Sequence, residues 1–223
     1  MGGKASTEKF LSQALVLQRD FPFLVNTRFC KSSTTVIKLT DNFWAKASGT
    51  DGYAVMDAYS ENVIFRVQDS VPGVEHDERT QWLTDTFKIP VAHLKKARTT
   101  TTAYNVYIGK GNDNLLTQLE IQYVPFQRDA LRAEYLDPIT GAANRISVHG
   151  NWRQRTAFIT LDRDTGKGHQ PIAKVFRADG KSVKFGNADY NVVVAPGVDV
   201  ALVVLVCAAM DDALQQSMVN TKA

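Results

Sequence analysis

The stretch Ala195–Gln216, APGVDVALVVLVCAAMDDALQQ, decides the fold. From Val200 to Met210 no side chain is charged or strongly polar. Pro196 and Gly197 break what precedes the run, and Asp199 stands where a carboxylate suits the first turn of a helix. The expectation is a helix over about 197–216 that is apolar all the way round, and such a helix is buried on every side. The apolar run itself falls short of the roughly 20 residues that cross a bilayer, and a longer span would carry Asp211 and Asp212 into lipid. A core helix is therefore expected, not an anchor.

What surrounds the helix follows from the rest of the chain. TTVIKLT (Thr34–Thr40) is β-branched and alternating. YAVMDAYSENVIFRV reads as a hairpin, with Tyr53–Met56 ascending, Asp57–Asn62 turning and Val63–Val67 returning. Val63, Phe65 and Val67 share one face because side chains alternate with period two. In LLTQLEIQYV the residues Leu119, Ile121 and Tyr123 face opposite to Gln118, Glu120 and Gln122. RTQWLTD, FKIPVAHL, TTTTAYNVYIG, ALRAEYLD, NRISVHGNW, RTAFITLD, QPIAKVFR and YNVVVA add further strands. About a dozen strands at roughly 8–12-residue intervals, with turn signals between, imply an all-β sandwich or barrel. A sheet that must bury one helix completely closes around it. The expected architecture is mainly β: a closed barrel of about 12 strands enclosing the C-terminal helix. The expected organisation is an arm over residues 1–22 that includes a short helix, a barrel over 23–216, and a tail over 217–223.

Composition fits one globular domain. Of 223 residues, 44% are hydrophobic and 22% charged, enough apolar material for a core. A net charge of +3 shows no concentrated basic face, so nucleic acid is not an expected partner. Cys30 and Cys207 are too few for a disulfide scaffold, and no secretory signal opens the sequence. A cytoplasmic, monomeric protein is expected.

NTRFC (26–30), GYAVMDAYSENVIFRVQDS (52–70), YNVYIGKGNDNLL (104–116), ISVHGNWRQRTAFITLD (146–162) and YNVVVAPGVDVALVVLVCAAMDDAL (190–214) together resemble the LURP-one-related proteins. The order and spacing of these segments carry the resemblance, from about Val25 to Leu214. The family is related to the tubby C-terminal domain and the phospholipid scramblases. The resemblance implies a tubby-like barrel of about twelve strands around a central helix, no established enzymatic activity, and an association with defence responses. Tubby domains bind phosphoinositides through basic residues. Scramblase-like members bind calcium through an acidic segment before the last helix.

Several residues become candidates. MGGKAS fits the pattern for N-myristoylation at Gly2. One acyl chain gives only marginal binding, so a second, basic signal would be required. Lys95, Lys96 and Arg98 in HLKKAR, and Arg153 and Arg155 in NWRQRT, are the candidate contacts to anionic phospholipid or phosphoinositide headgroups, because Lys and Arg donate to phosphate oxygens. Trp152 beside them is a candidate interfacial anchor. Solvated cations that protect strand edges are the plainer reading of the same residues. No metal site is expected. Asp189 and Asp199 lie near scramblase-like calcium positions, but a calcium ion takes six to eight oxygens and Val192–Val194 supply none from their side chains. Asp162 and Asp164 in DRDTGKGHQ lack the glycine and closing glutamate positions of an EF-hand, and read as a hairpin turn. His76, His93, His149 and His169 are scattered, and His93 is expected to be a hydrogen-bonded barrel residue. No nucleophile elbow, phosphate loop or dinucleotide fingerprint occurs, so neither an enzyme nor a cofactor is expected. The expected role is a non-enzymatic lipid-binding or signalling module, peripheral at the plasma membrane. The alternatives are a scramblase-like lipid transporter and a protein-interaction or transcription-related scaffold. A small-molecule binder would need an apolar cavity beside the helix.

Overall fold

Alternation in the β-branched segments becomes a single antiparallel sheet in the computed structural model. The structure describes residues 12–18, 25–46, 52–75, 77, 79–97, 102–122, 130–136, 141–163, 169–177 and 188–220. The strands are β1 (Thr35–Thr40), β2 (Tyr53–Asp57), β3 (Val63–Gln68), β4 (Thr80–Thr84), β5 (Pro90–Lys96) and β6 (Ala103–Ile108). They continue as β7 (Leu115–Gln122), β8 (Ala130–Leu136), β9 (Ala143–Asn151), β10 (Thr156–Asp162), β11 (Gln170–Phe176) and β12 (Asp189–Val194). Helix α1 spans Val200–Asn220. Each strand pairs with its sequence neighbours, and β1 pairs with β12 to close the barrel. That closure runs in unbroken register from Thr35↔Val194 to Thr40↔Asp189.

The inward faces are those the alternation predicts. Phe65 and Val67 on β3 are buried, as are Leu119 and Ile121 on β7, while Gln118 and Glu120, which alternate with them, are exposed. An eight-stranded barrel is filled by its own side chains. Twelve strands enclose a wider bore, and α1, a cylinder about 10–12 Å across with its side chains, occupies it. Every residue from Val200 to Met210 is at most 2% exposed. Burying each Val or Leu stabilises by about 1.5–3 kcal/mol, which makes α1 the centre of the core.

The helix differs from expectation at both ends. It starts at Val200 and continues beyond 216 to Asn220. By length and composition it could cross a membrane, so shortness does not argue against an anchor; its burial inside the barrel does. Asp199, fully buried, caps the start. Its Oδ1 accepts from the amides of Ala201 (3.0 Å) and Leu202 (3.4 Å), and its Oδ2 accepts from those of Val25 (2.8 Å) and Asn26 (3.2 Å). One carboxylate thus satisfies the helix terminus and ties the chain before β1 across the barrel mouth. Burial pushes this carboxyl above its ordinary range, against those four amides. Asp199→Ala removes a cap worth about 0.5–2 kcal/mol and orphans the buried Val25 N–H at about 1–3 kcal/mol, while the amide of the exposed Asn26 can turn to water. The expected loss in urea unfolding is about 2–4 kcal/mol, and Asp199→Asn, which keeps one acceptor, loses less. Equal losses for the two variants would mean that the acceptor geometry is not what matters.

Within residues 12–18 the chain touches the barrel at Leu15 and Gln18. The amide of Gln18 donates to Pro196 O at 2.9 Å, and Leu15 packs on the core. Gly197, at φ +81°, sits so close to the backbone carbonyl of Gln18 that a Cβ there would collide with it. The short helix expected in the arm does not extend over residues 13–18, and residues 1–11 lie outside the described residues.

Candidate functional site

The two ends of the barrel are chemically different. At the entry end α1 begins, and the β2–β3, β4–β5 and β6–β7 turns surround it. At the exit end α1 passes Asp211 and Asp212, near the β9–β10 turn and the ends of β5 and β1.

The exit end holds a buried ionic cluster. Arg155 is fully buried at φ +54° in the β9–β10 turn. Its Nη2 lies 2.8 Å from Asp41 Oδ1, and its Nη1 lies 2.7 Å from Asp211 Oδ1. Arg177 Nη2 reaches the other Asp41 oxygen at 2.7 Å. Trp152 Nε1 donates to Asp211 Oδ1 (2.7 Å), and the Asn42 amide (3.1 Å) and the Tyr190 hydroxyl (3.2 Å) donate to Asp211 Oδ2. The guanidinium also lies 3.9 Å from the centre of the Tyr190 ring. Burial pushes the Asp211 carboxyl up, and Arg155 and Trp152 pull it back down. Buried charges persist when paired and hydrogen-bonded in this way. The cluster locks α1 to β1, β9, β10 and β12.

This corrects two expectations. Arg155 cannot meet a lipid headgroup, because its side chain is 0% exposed and engaged with two carboxylates. Trp152 is not an interfacial anchor either, because it is fully buried with its N–H on Asp211. The other candidates are partly brought together. Lys95, Lys96 and Arg153 all lie at the exit end, but on different arcs of the rim. Lys95 Nζ is 2.9 Å from Asp77 Oδ2, an oxygen that Arg79 also approaches at 3.2 Å; bonded to Lys95, the Asp77 carboxyl falls to about 2. Lys96 turns inward, 3.6 Å from Asp212 Oδ2, where the Tyr104 hydroxyl also donates at 2.7 Å. Arg153 is exposed in the β9–β10 turn. Arg98 and Gly2 lie outside the described residues.

The acidic candidates are occupied by structural roles. Asp199 spends both oxygens on amides, and Asp189 pairs with Lys38 at 2.9 Å and accepts from Thr40. Among the described residues no three His, Cys, Asp or Glu side chains are grouped to hold a metal ion. His93 is a hydrogen-bonded wall residue, as expected: Nδ1 lies 3.0 Å from Gly109 O and Nε2 3.3 Å from Asn112 Oδ1, with the ring stacked on Tyr107. His149 and His169 are neighbours on the outer face. His76 and residues 164–168 of the β10–β11 turn lie outside the described residues. Cys30 and Cys207 are free thiols, and burial pushes Cys30 up to about 11, so it is a poor nucleophile. A cavity of about 510 Å³ lies on the outer face, between Ala14, Leu15 and the wall at Lys174, Phe176 and Val193, not beside the helix.

Sequence reasoning missed Asp41 and Asp211 as partners of Arg155, and Arg177 as the second cation on Asp41. The available signal was the pair of carboxylates that follows the apolar run inside the helix, which requires cations from the wall.

These features define a mostly β class: a closed antiparallel barrel of twelve strands filled by its own C-terminal helix. The chain belongs to the LURP-one-related family, whose model matches residues 37–211. It is similar in fold to an X-ray structure of a protein from Arabidopsis thaliana, at 17% sequence identity and a TM-score of 0.57, over 86% of this chain and 98% of that one. A comparison with curated proteins found no match.

Proposed function

We propose that the protein is a non-enzymatic, membrane-associated module that docks peripherally on anionic phospholipid, phosphoinositides included, at the cytoplasmic face of the plasma membrane. The observation that carries this reading is the filled bore. With α1 occupying the interior, recognition belongs to the outer surface and the two rims, where the exposed cations stand. Kinship to lipid-binding barrels supports it, and acylation of Gly2 would add a second, reversible attachment. A scramblase-like calcium mechanism is less favoured, because Asp189 and Asp199 are committed to Lys38 and to backbone amides.

Flotation with phosphatidylcholine vesicles, with and without phosphatidylserine or a phosphoinositide, tests the reading. The expected result is flotation that requires anionic lipid and weakens with salt. A protein that stays at the bottom of the gradient with every lipid would refute it.

A further inference from the structure

Large exposed apolar side chains gather at the entry end. Phe87 (82% exposed) and Ile89 (57%) stand on the β4–β5 turn, and Leu115 (55%) opens β7 at the β6–β7 turn. The registers Ala92↔Ile108 and Tyr107↔Leu115 set these two turns side by side at the same end. With strands about 4.8 Å apart, successive hairpins sit roughly 10 Å apart along the rim.

The central turn is pre-shaped. Asp85 Oδ1 accepts from the amides of Phe87 and Ile89, both at 3.0 Å, and the Asp85 amide donates to Ile89 O at 2.9 Å. Lys88 between them takes φ +62°. Asp85 also binds Arg28 Nη2 at 3.2 Å, and its own side chain is only 10% exposed. The turn's carboxylate is thus drawn inward, while Phe87, Lys88 and Ile89 remain outside. A rigid turn that holds two apolar side chains in water has already met the ordering cost of burying them in something else.

Charge identifies the partner. Around these tips stand Arg28, half exposed, the exposed Lys31 and Lys88, and the exposed Lys110, whose Nζ donates to Pro72 O at 3.1 Å, against inward-drawn Asp85 and exposed Asp113. The next turn, β2–β3, carries exposed Tyr59 with Asp57 and Glu61 and forms the acidic edge of the surface. Apolar tips among cations fit a layer that is apolar below and anionic above.

We propose that the protein meets an anionic bilayer with its helix-entry rim, inserting Phe87 and Ile89, with Leu115 at the flank, while Arg28, Lys31, Lys88 and Lys110 face the headgroup phosphates. This rests on the membrane-docking reading and assigns it to the end opposite Lys95 and Arg153.

The native tryptophans Trp44, Trp82 and Trp152 are all buried, so Phe87→Trp places a single exposed reporter at the tip. With phosphatidylcholine–phosphatidylserine vesicles carrying brominated acyl chains, the variant's added emission should shift to the blue and be quenched, while wild-type emission barely changes. Phe87→Glu/Ile89→Glu should lower the vesicle partition coefficient at least tenfold, while Lys95→Glu/Arg153→Glu stays within twofold of wild type. Unchanged thermal melts show that each variant is folded. If wild type floats but the tip variant floats equally well, or the emission added by Phe87→Trp is not quenched, the rim assignment is wrong and the membrane reading stands. If wild type binds no vesicle, both fall.

Discussion

Val204→Asp prevents the barrel from folding. Val204 is fully buried midway along the apolar run of α1, walled by inward-facing strand residues. A carboxylate there has no partner: the cations of the exit cluster sit around Asp211, about two helical turns further on, and are already taken. An isolated ionised carboxylate is far too costly in such a place, and its protonated form is still a buried polar group without a partner, at several kcal/mol. The substitution also removes the valine's own burial, and it strikes a domain whose whole stability is on the order of 5–15 kcal/mol. The expected result is loss of near-ultraviolet circular dichroism and of any cooperative urea transition. Val204→Ala provides the graded control, removing about 2 kcal/mol while leaving a folded protein. A cooperative urea transition at the wild-type midpoint for Val204→Asp would mean that the helix is not inside.

That the helix is inside is legible because the signal is local. Eleven residues with no polar side chain, Val200 to Met210, need burial all round, and strands such as Val63–Gln68 and Leu115–Gln122 announce their inward faces by alternation. The helix's end is harder to read. Asp211 and Asp212 suggest a helix leaving the core, yet Asp211 is fully buried and the segment through Asn220 holds neither Gly nor Pro to stop it. Arg155 reads as a surface cation because an arginine in a polar turn usually is one. Its partners Asp41 and Asp211 lie 114 and 56 residues away in the chain, and only the closed sheet brings them together. The rim shows the converse failure. FKIPVAHL reads as one strand from its β-prone residues, but Asp85 captures the amides of Phe87 and Ile89, and the strand begins only at Pro90. Hydrophobicity in a sequence marks what can be buried; side-chain hydrogen bonds decide here which apolar residues are left outside.

Arg155→Ala is expected to destabilise the fold by about 3–5 kcal/mol, the range for breaking a buried ion pair from one side. The asymmetry of the cluster says where the damage falls. Asp41 keeps Arg177 at 2.7 Å, whereas Asp211 loses the one cation paired with it among the described residues and retains neutral donors from Trp152, Tyr190 and the Asn42 amide. The loss should therefore depend on pH in a definite sense. Burial already raises the Asp211 carboxyl above its unfolded value, and a group shifted that way adds stability at pH below its unfolded pKa and loses it as pH rises through the folded one. Removing the guanidinium raises it further, so the deficit against wild type is larger in a buffer at about pH 7.5 than in one at about pH 5, because lowering the pH favours the neutral form of Asp211. Adding Asp211→Asn to Arg155→Ala removes the orphaned charge. It should recover part of the loss at the higher pH and little at the lower one, in a double-mutant cycle read by urea midpoints. If the deficit is the same at both pH values and Asp211→Asn recovers nothing, the loss comes from the packing of the guanidinium against Tyr190 and Trp152, and Arg155 fills space at the exit end rather than neutralising the helix.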